Sequence, residues 1–158
     1  MTKTAAPAET TYVDPSALLK LYLHQPKSEE ISAWRARARG SLAITHHGRV
    51  EIINGICLAA FHKLISAPAM SDALASFDED FEDGRYVQAD LLRRAALRRS
   101  ADLSRKHTPG LGCRSLDVLH VASALELGFK SFLTFDRRQQ TLAQAAGLKA
   151  VLLAARKH

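Results

Sequence analysis

Four carboxylates in this sequence are hard to pass over because of what surrounds them. Asp14 follows Tyr12-Val13 and precedes Pro15, and Asp136 follows Phe132-Leu133-Thr134-Phe135 and precedes Arg137. Both occupy a junction between an apolar strand and a helix. In a parallel α/β sheet the carboxyl ends of the strands share one edge, where ligands bind, so two such aspartates can converge. The simpler reading is that each caps its helix, a role for which Asp is favoured. Glu51 and Asp117 resist that explanation. Glu51 interrupts Val50-Glu51-Ile52-Ile53-Asn54-Gly55-Ile56, and Asp117 interrupts Leu116-Asp117-Val118-Leu119-His120-Val121-Ala122. A lone carboxylate buried on an apolar helix is costly unless it is paired, protonated or bound to a cation. Arg49, beside Glu51, and Arg114, three residues before Asp117, offer ion pairs. One divalent metal site explains all four acids together, and all-oxygen ligation with retained waters suits Mg²⁺ or Mn²⁺.

The elements that must position these groups follow from the pattern around them. Residues 10–13 predict a strand, and Pro15 opens a helix carrying Leu18, Leu19, Tyr22 and Leu23, since Pro suits the first helical position. A helix is expected over 28–39, stopped by Gly40, then a strand over 41–45 and a helix over 48–65. Residues 85–106 carry seven basic residues against two acids and predict a helix whose Leu91, Ala95, Leu97 and Leu103 face inward. Pro109-Gly110-Leu111-Gly112 is expected to break that pattern. A mostly buried helix follows over 115–127, ended by Gly128, then a strand over 131–135, a helix over 137–146 and a last strand over 149–153. Short apolar strands alternating with helices favour an α/β fold with a parallel sheet.

At 158 residues the chain is about one domain long. It has no internal repeat and no long linker, so a single domain over 10–158 is expected after a flexible segment over 1–9. A composition 47% hydrophobic and 24% charged excludes general disorder. Cys57 and Cys113 lack metal or disulfide spacing. The N-terminal residues lack the apolar stretch of a signal peptide, and no run approaches a membrane span, so a soluble, cytoplasmic protein with no membrane partner is expected. Lys and Arg number 22 against 16 Asp and Glu, a net charge of +6 that suits a polyanionic partner. Six of the acids form a block, Asp72, Asp78, Glu79, Asp80, Glu82 and Asp83, directly before the arginine-rich stretch.

At the four carboxylates the sequence resembles a known family. Tyr12-Val13-Asp14-Pro15-Ser16-Ala17-Leu18-Leu19 is similar to the opening of PIN-domain ribonucleases of the VapC toxin type. Thr45 with Arg49-Val50-Glu51 and Asn54 resembles that family's second acidic motif, and residues 114–124 resemble its third. Phe132-Leu133-Thr134-Phe135-Asp136-Arg137-Arg138 and the Leu142 to Leu148 stretch resemble its closing segment. The resemblance covers about residues 11 to 153, with the four motifs in order. It implies a small α/β/α sandwich, a central parallel sheet surrounded by helices, and a Mg²⁺- or Mn²⁺-dependent endoribonuclease. Asp14, Glu51, Asp117 and Asp136 would form the metal pocket, supported by the Thr134 hydroxyl. It further implies the toxin of a type II toxin–antitoxin pair, commonly a homodimer, inhibited by a cognate antitoxin. A housekeeping RNA-processing nuclease and an inactive nucleic-acid-binding or interaction domain are the competing readings.

Other polar residues have a plain and a functional reading. His120, three residues after Asp117, is read first as a hydrogen-bonded core histidine and second as a support for the pocket or a contact to RNA. His46 and His47 are adjacent but lack the further spacing of a zinc site. Arg49, Arg137 and Arg138 lie beside pocket acids and either hold RNA phosphates or form structural ion pairs. The arginine-rich helix is read first as a solvated face, second as an extension of an RNA track or a surface that meets an acidic partner.

Overall fold

A computed structural model describes residues 8–155. Most of the expected flexible segment, residues 1–7, lies outside the described residues. Ala8–Thr10 forms a 3₁₀ turn in which Ala8 is buried and donates its N–H to the Arg39 carbonyl at 3.1 Å.

The described residues form five strands: β1 (Thr11–Val13), β2 (Leu42–Ile44), β3 (Tyr86–Gln88), β4 (Ser131–Leu133) and β5 (Lys149–Ala150). Seven helices connect them: α1 (Pro15–Leu19), α2 (Ser28–Arg37), α3 (His46–Phe61), α4 (Ala67–Glu82), α5 (Arg93–Leu111), α6 (Ser115–Glu126) and α7 (Arg137–Ala145). One sheet has the order β1-β4-β5 and a second pairs β2 with β3, all parallel. Val13 pairs with Leu133, which sets the ends of β1 and β4 side by side and puts Asp14 and Thr134 next to each other on one edge.

Alternation along the strands divides the core, because successive side chains point to opposite faces. Val13 and Leu133 pack on one side with Leu18, Ile31, Trp34, Ile52, Ile56 and Phe77 from α1 to α4. Tyr12 and Phe132 pack on the other with Val118, Val121, Ala124, Leu142 and Ala143 from α6 and α7. The result is the expected α/β fold with a parallel sheet between helical layers.

Three expectations are corrected. Residues 85–106 do not form one helix: Tyr86–Gln88 is a strand beside β2, with Leu42 opposite Tyr86, and helix α5 begins only at Arg93. Tyr86 is buried against Phe77 and Phe81, so packing in the core overrides helical charge patterning there. The Pro109-Gly110 pair does not stop α5, which runs to Leu111 and ends at Gly112 with φ 65°. Pro109 costs the helix the N–H that would bond Arg105, but both residues are exposed and water can serve that carbonyl. The α3 helix also starts earlier than residue 48, because the Thr45 side chain caps it by accepting the Gly48 N–H at 3.0 Å.

Candidate active site

The expected acids come from four different elements. Asp14 follows β1 and caps α1, Glu51 lies in the second turn of α3, Asp117 in the first turn of α6, and Asp136 caps α7. Each has a specific partner. Asp14 is 3% exposed, and its Oδ2 accepts the Ser16 N–H at 3.0 Å and the Ser16 hydroxyl. Its Oδ1 accepts from Gln139 Nε2 at 2.9 Å. Asp136 Oδ1 accepts the N–H groups of Arg138 and Gln139 at 2.8 and 3.2 Å. Asp117 Oδ2 accepts from Arg114 Nε at 3.2 Å, an ion pair whose arginine is almost wholly in water and therefore of little strength. Glu51 Oε2 accepts from the buried His120 Nε2.

Gln139 links three of these residues, and His120 holds the fourth. Gln139 donates from Nε2 to Asp14 Oδ1 and to the Asp117 carbonyl, the latter at 3.2 Å, while its own N–H lies on Asp136. His120 follows Asp117 by one turn of α6 and reaches Glu51 on α3, with Nδ1 sharing a hydrogen bond of 2.6 Å with the Tyr12 hydroxyl. The glycine at position 48 permits the close approach of α3. A Cβ there would lie 2.9 Å from Thr45 Oγ1 and 3.2 Å from the Pro15 ring.

The field of these carboxylates is visible on the groups around them. Burial opposes charge on His120, but the Glu51 hydrogen bond and the Asp14, Glu51 and Asp117 carboxylates outweigh it and raise the imidazole above its ordinary value. Burial, with Asp14 and Glu51 adding to it, pushes the Tyr12 phenol far up, so the hydroxyl stays neutral. His47, whose ring centroid lies 4.8 Å from that of His120, moves the other way. Burial, then the nearby His120, Arg93 and His46, lower it to about 4.

The remaining sequence candidates fall in distinct places. Thr134 is buried, and its hydroxyl accepts the Asp136 N–H at 3.2 Å. Arg137 and Arg138 are exposed at the start of α7, beside Asp136. Arg49 lies with its guanidinium 4.2 Å from the centre of the Phe81 ring. His120 is a hydrogen-bonded core histidine and a partner of Glu51 at once, so its two readings do not compete. Sequence reasoning alone misses Gln139. Its spacing from Asp136, Asp-x-x-Gln at the start of a helix, reads as a local capping box in which the Gln turns back on the capping residue. Here the side chain crosses to a residue 125 positions away instead.

A hard divalent cation suits the chemistry of this set, which is made of carboxylate oxygens with no thiolate among them. Among the described residues, no three His, Cys, Asp or Glu side chains are already gathered around one point as a ligand set. Each carboxylate is turned instead toward a protein donor.

Residues 11–145 match the PIN domain family model, and the chain belongs to the PIN-domain family. The fold is similar to the crystal structure of FitAcB from Neisseria gonorrhoeae, at 16% identity and a TM-score of 0.60, over 89% of this chain and 95% of that one. No curated protein matches the sequence. Nuclease activity is the general chemistry of PIN domains, and divalent metals are its general cofactors. Among the described residues, no helix is long and apolar enough to cross a membrane.

Proposed function

We propose that this chain is a Mg²⁺- or Mn²⁺-dependent endoribonuclease that hydrolyses RNA phosphodiesters. The observation that carries this reading is the linking of Asp14, Asp117 and Asp136 from three elements through Gln139, with Glu51 held separately by His120 from the helix that carries Asp117. Capping alone would satisfy Asp14 and Asp136 locally and would need no bridge from Gln139 to Asp14.

Asp14, Glu51 and Asp117 would hold the cation, directly or through water, with Asp136 as a further ligand or a group that orients water. A bound cation supplies activation of a water for in-line attack and neutralisation of the phosphoryl oxygens. The protein's own part is to hold the carboxylates together and to receive the RNA. Gln139 and Ser16 fix Asp14, His120 fixes Glu51, and Thr134 steadies the backbone that carries Asp136. Arg137 and Arg138, exposed beside Asp136, would meet backbone phosphates, with Arg49 as a weaker third candidate because its guanidinium already covers Phe81.

We read the biological role as the toxin of a type II toxin–antitoxin pair, acting in the cytoplasm as a homodimer and silenced by a cognate antitoxin. The basic excess of the chain and its likeness in fold to FitAcB support this reading. The test is expression of the wild type and of Asp14→Asn, with RNA 5′ ends mapped in both. Growth arrest with discrete cleavage only in the wild type is expected; an Asp14→Asn protein that folds and still cleaves would sink the assignment.

A second reading has its own observation. Every one of the four carboxylates already has a protein donor, which is what an inactive binding domain would show. Mn²⁺ titration separates the two: a catalytic pocket binds Mn²⁺ and loses it on acid-to-amide substitution, and a capping set does neither.

A further inference from the structure

We propose that Gln139 is a positioning residue of the metal pocket, holding Asp14 against the first turn of α6 so that carboxylates which repel one another stay within reach of one cation. The proposal rests on the metal-dependent reading above and names a residue that lies outside the family motifs and that the sequence pattern assigns only to a local cap.

The geometry is specific. A Gln amide nitrogen carries two hydrogens, and both are in use. One goes to Asp14 Oδ1 at 2.9 Å and the other to the Asp117 carbonyl at 3.2 Å. Using both hydrogens fixes which way the amide faces. The Gln139 backbone N–H adds a third link, to Asp136 Oδ1 at 3.2 Å. The side chain is 1% exposed, so water cannot take over these bonds when they are broken. One residue thus ties the ends of β1 and β4 to the start of α6.

The choice of an amide matters chemically. A Lys or Arg at this position would pair with Asp14 and cancel the charge that attracts a cation. Gln donates the same hydrogen bond and orients Asp14 without placing a positive charge beside it. Oδ1 accepts one hydrogen bond and keeps a second lone-pair direction for another partner. Neutral partners of this kind around ligating carboxylates typically contribute ~10–100-fold in metal affinity or activity.

The experiment measures Mn²⁺ binding by EPR on the full-length protein without RNA, for the wild type, Gln139→Met and Leu142→Ala. Met matches Gln in length and fills the space but donates nothing. Leu142 is fully buried on the same helix, so Leu142→Ala reports what loosening α7 does by itself. Gln139→Met is expected to bind Mn²⁺ at least ~10-fold more weakly, and to lower kcat for an RNA oligonucleotide with little change in KM. Leu142→Ala is expected to lower Tm further and to bind Mn²⁺ like the wild type. Gln139→Met binding as tightly as the wild type, or Leu142→Ala losing as much, overturns the proposal and leaves the metal reading standing. A wild type that binds no Mn²⁺ overturns the metal reading itself, and the role of Gln139 with it. NMR on the wild type covers the case in which Gln139→Met does not fold. Added Mg²⁺ should shift the Gln139 side-chain amide pair but not those of Gln25 and Gln88; an unmoved Gln139 pair beside a shifted Asp14 backbone amide overturns the proposal.

Discussion

Asp14 and Asp136 are the same residue in the same local setting, yet the protein uses them differently. Both close an apolar strand and both cap the helix that follows, through Ser16 N–H in one case and through Arg138 and Gln139 N–H in the other. Asp14 is buried and has a partner on each oxygen, one within its own turn and one from α7. Asp136 is half-buried, and its cap bonds all fall on Oδ1. The comparison shows that capping a helix and bonding to another element are not alternatives for one carboxylate. A cap occupies one oxygen, and the second is free for work between elements.

The sharpest way to break this comparison is to remove charge at each site while keeping the cap. Asn caps nearly as well as Asp, so Asp136→Asn should melt close to the wild type, whereas Asp14→Asn should melt lower, because an amide nitrogen in place of Oδ1 cannot accept from Gln139 Nε2. Metal-dependent RNA cleavage should fall by at least ~100-fold for Asp14→Asn and by about 10-fold for Asp136→Asn, on the scale that metal-supplied activation commands. Equal losses in steady-state assays would mean that the two carboxylates do the same job.

Next in size is truncation to Ala, read by urea unfolding. Asp136→Ala should cost about 1 kcal/mol, the usual value of a missing cap. Asp14→Ala should cost more, by about 1–3 kcal/mol, because it also strands the buried Gln139 donor. Similar costs for the two would show that the Gln139 bond contributes little to the folded state.

A second pair of neighbours, His47 and His120, sharpens the same lesson, because identical side chains beside each other are pushed in opposite directions. His47 is held near 4 in the folded protein against 6.5 for an ordinary histidine, chiefly by burial. Above 6.5 both folded and unfolded chains keep it neutral, and its burial costs nothing in protons. As pH falls from 6.5 toward 4 the unfolded chain takes up a proton that the folded one refuses, so stability drops across that window. His47→Phe should flatten this part of the Tm–pH curve while leaving its shape above pH 7 unchanged. An unaltered slope would place the titrating group elsewhere.

The smallest expected effect concerns α5. Reversing Arg94 and Arg98 to Glu should leave metal binding unchanged. If the helix extends the RNA track, the salt slope of RNA binding should fall by about 1 for each phosphate that is no longer neutralised. An unchanged slope marks the face as solvated surface.

How much of this is legible in the sequence varies with the range of the interactions. The strands that carry Asp14 and Asp136, and the helices that start at Pro15, Ser115 and Arg137, announce themselves through local apolar runs and their breakers. Strand β3 does not, because three residues between two charged helices carry too little pattern. Its existence rests on pairing with β2 and on the packing of Tyr86. The end of α5 is hidden for a different reason: Pro109 stands where a helix usually stops, but the Arg105 carbonyl that loses its N–H partner is exposed to water.

The sequence by itself determined the class of the fold, the identity of the four acids and the elements that carry them, since each depends on residue type and on neighbours within a turn or two. It also determined that Asp14 and Asp136 would cap helices. Only the tertiary structure decided that Gln139 would leave its own capping turn for Asp14, and that a histidine buried in the core would hold Glu51. Those contacts join residues 125 and 69 positions apart. Nothing in a local pattern can encode them, because the parallel pairing of β1 with β4 and the reach of His120 on α6 to Glu51 on α3 depend on how distant elements are brought together.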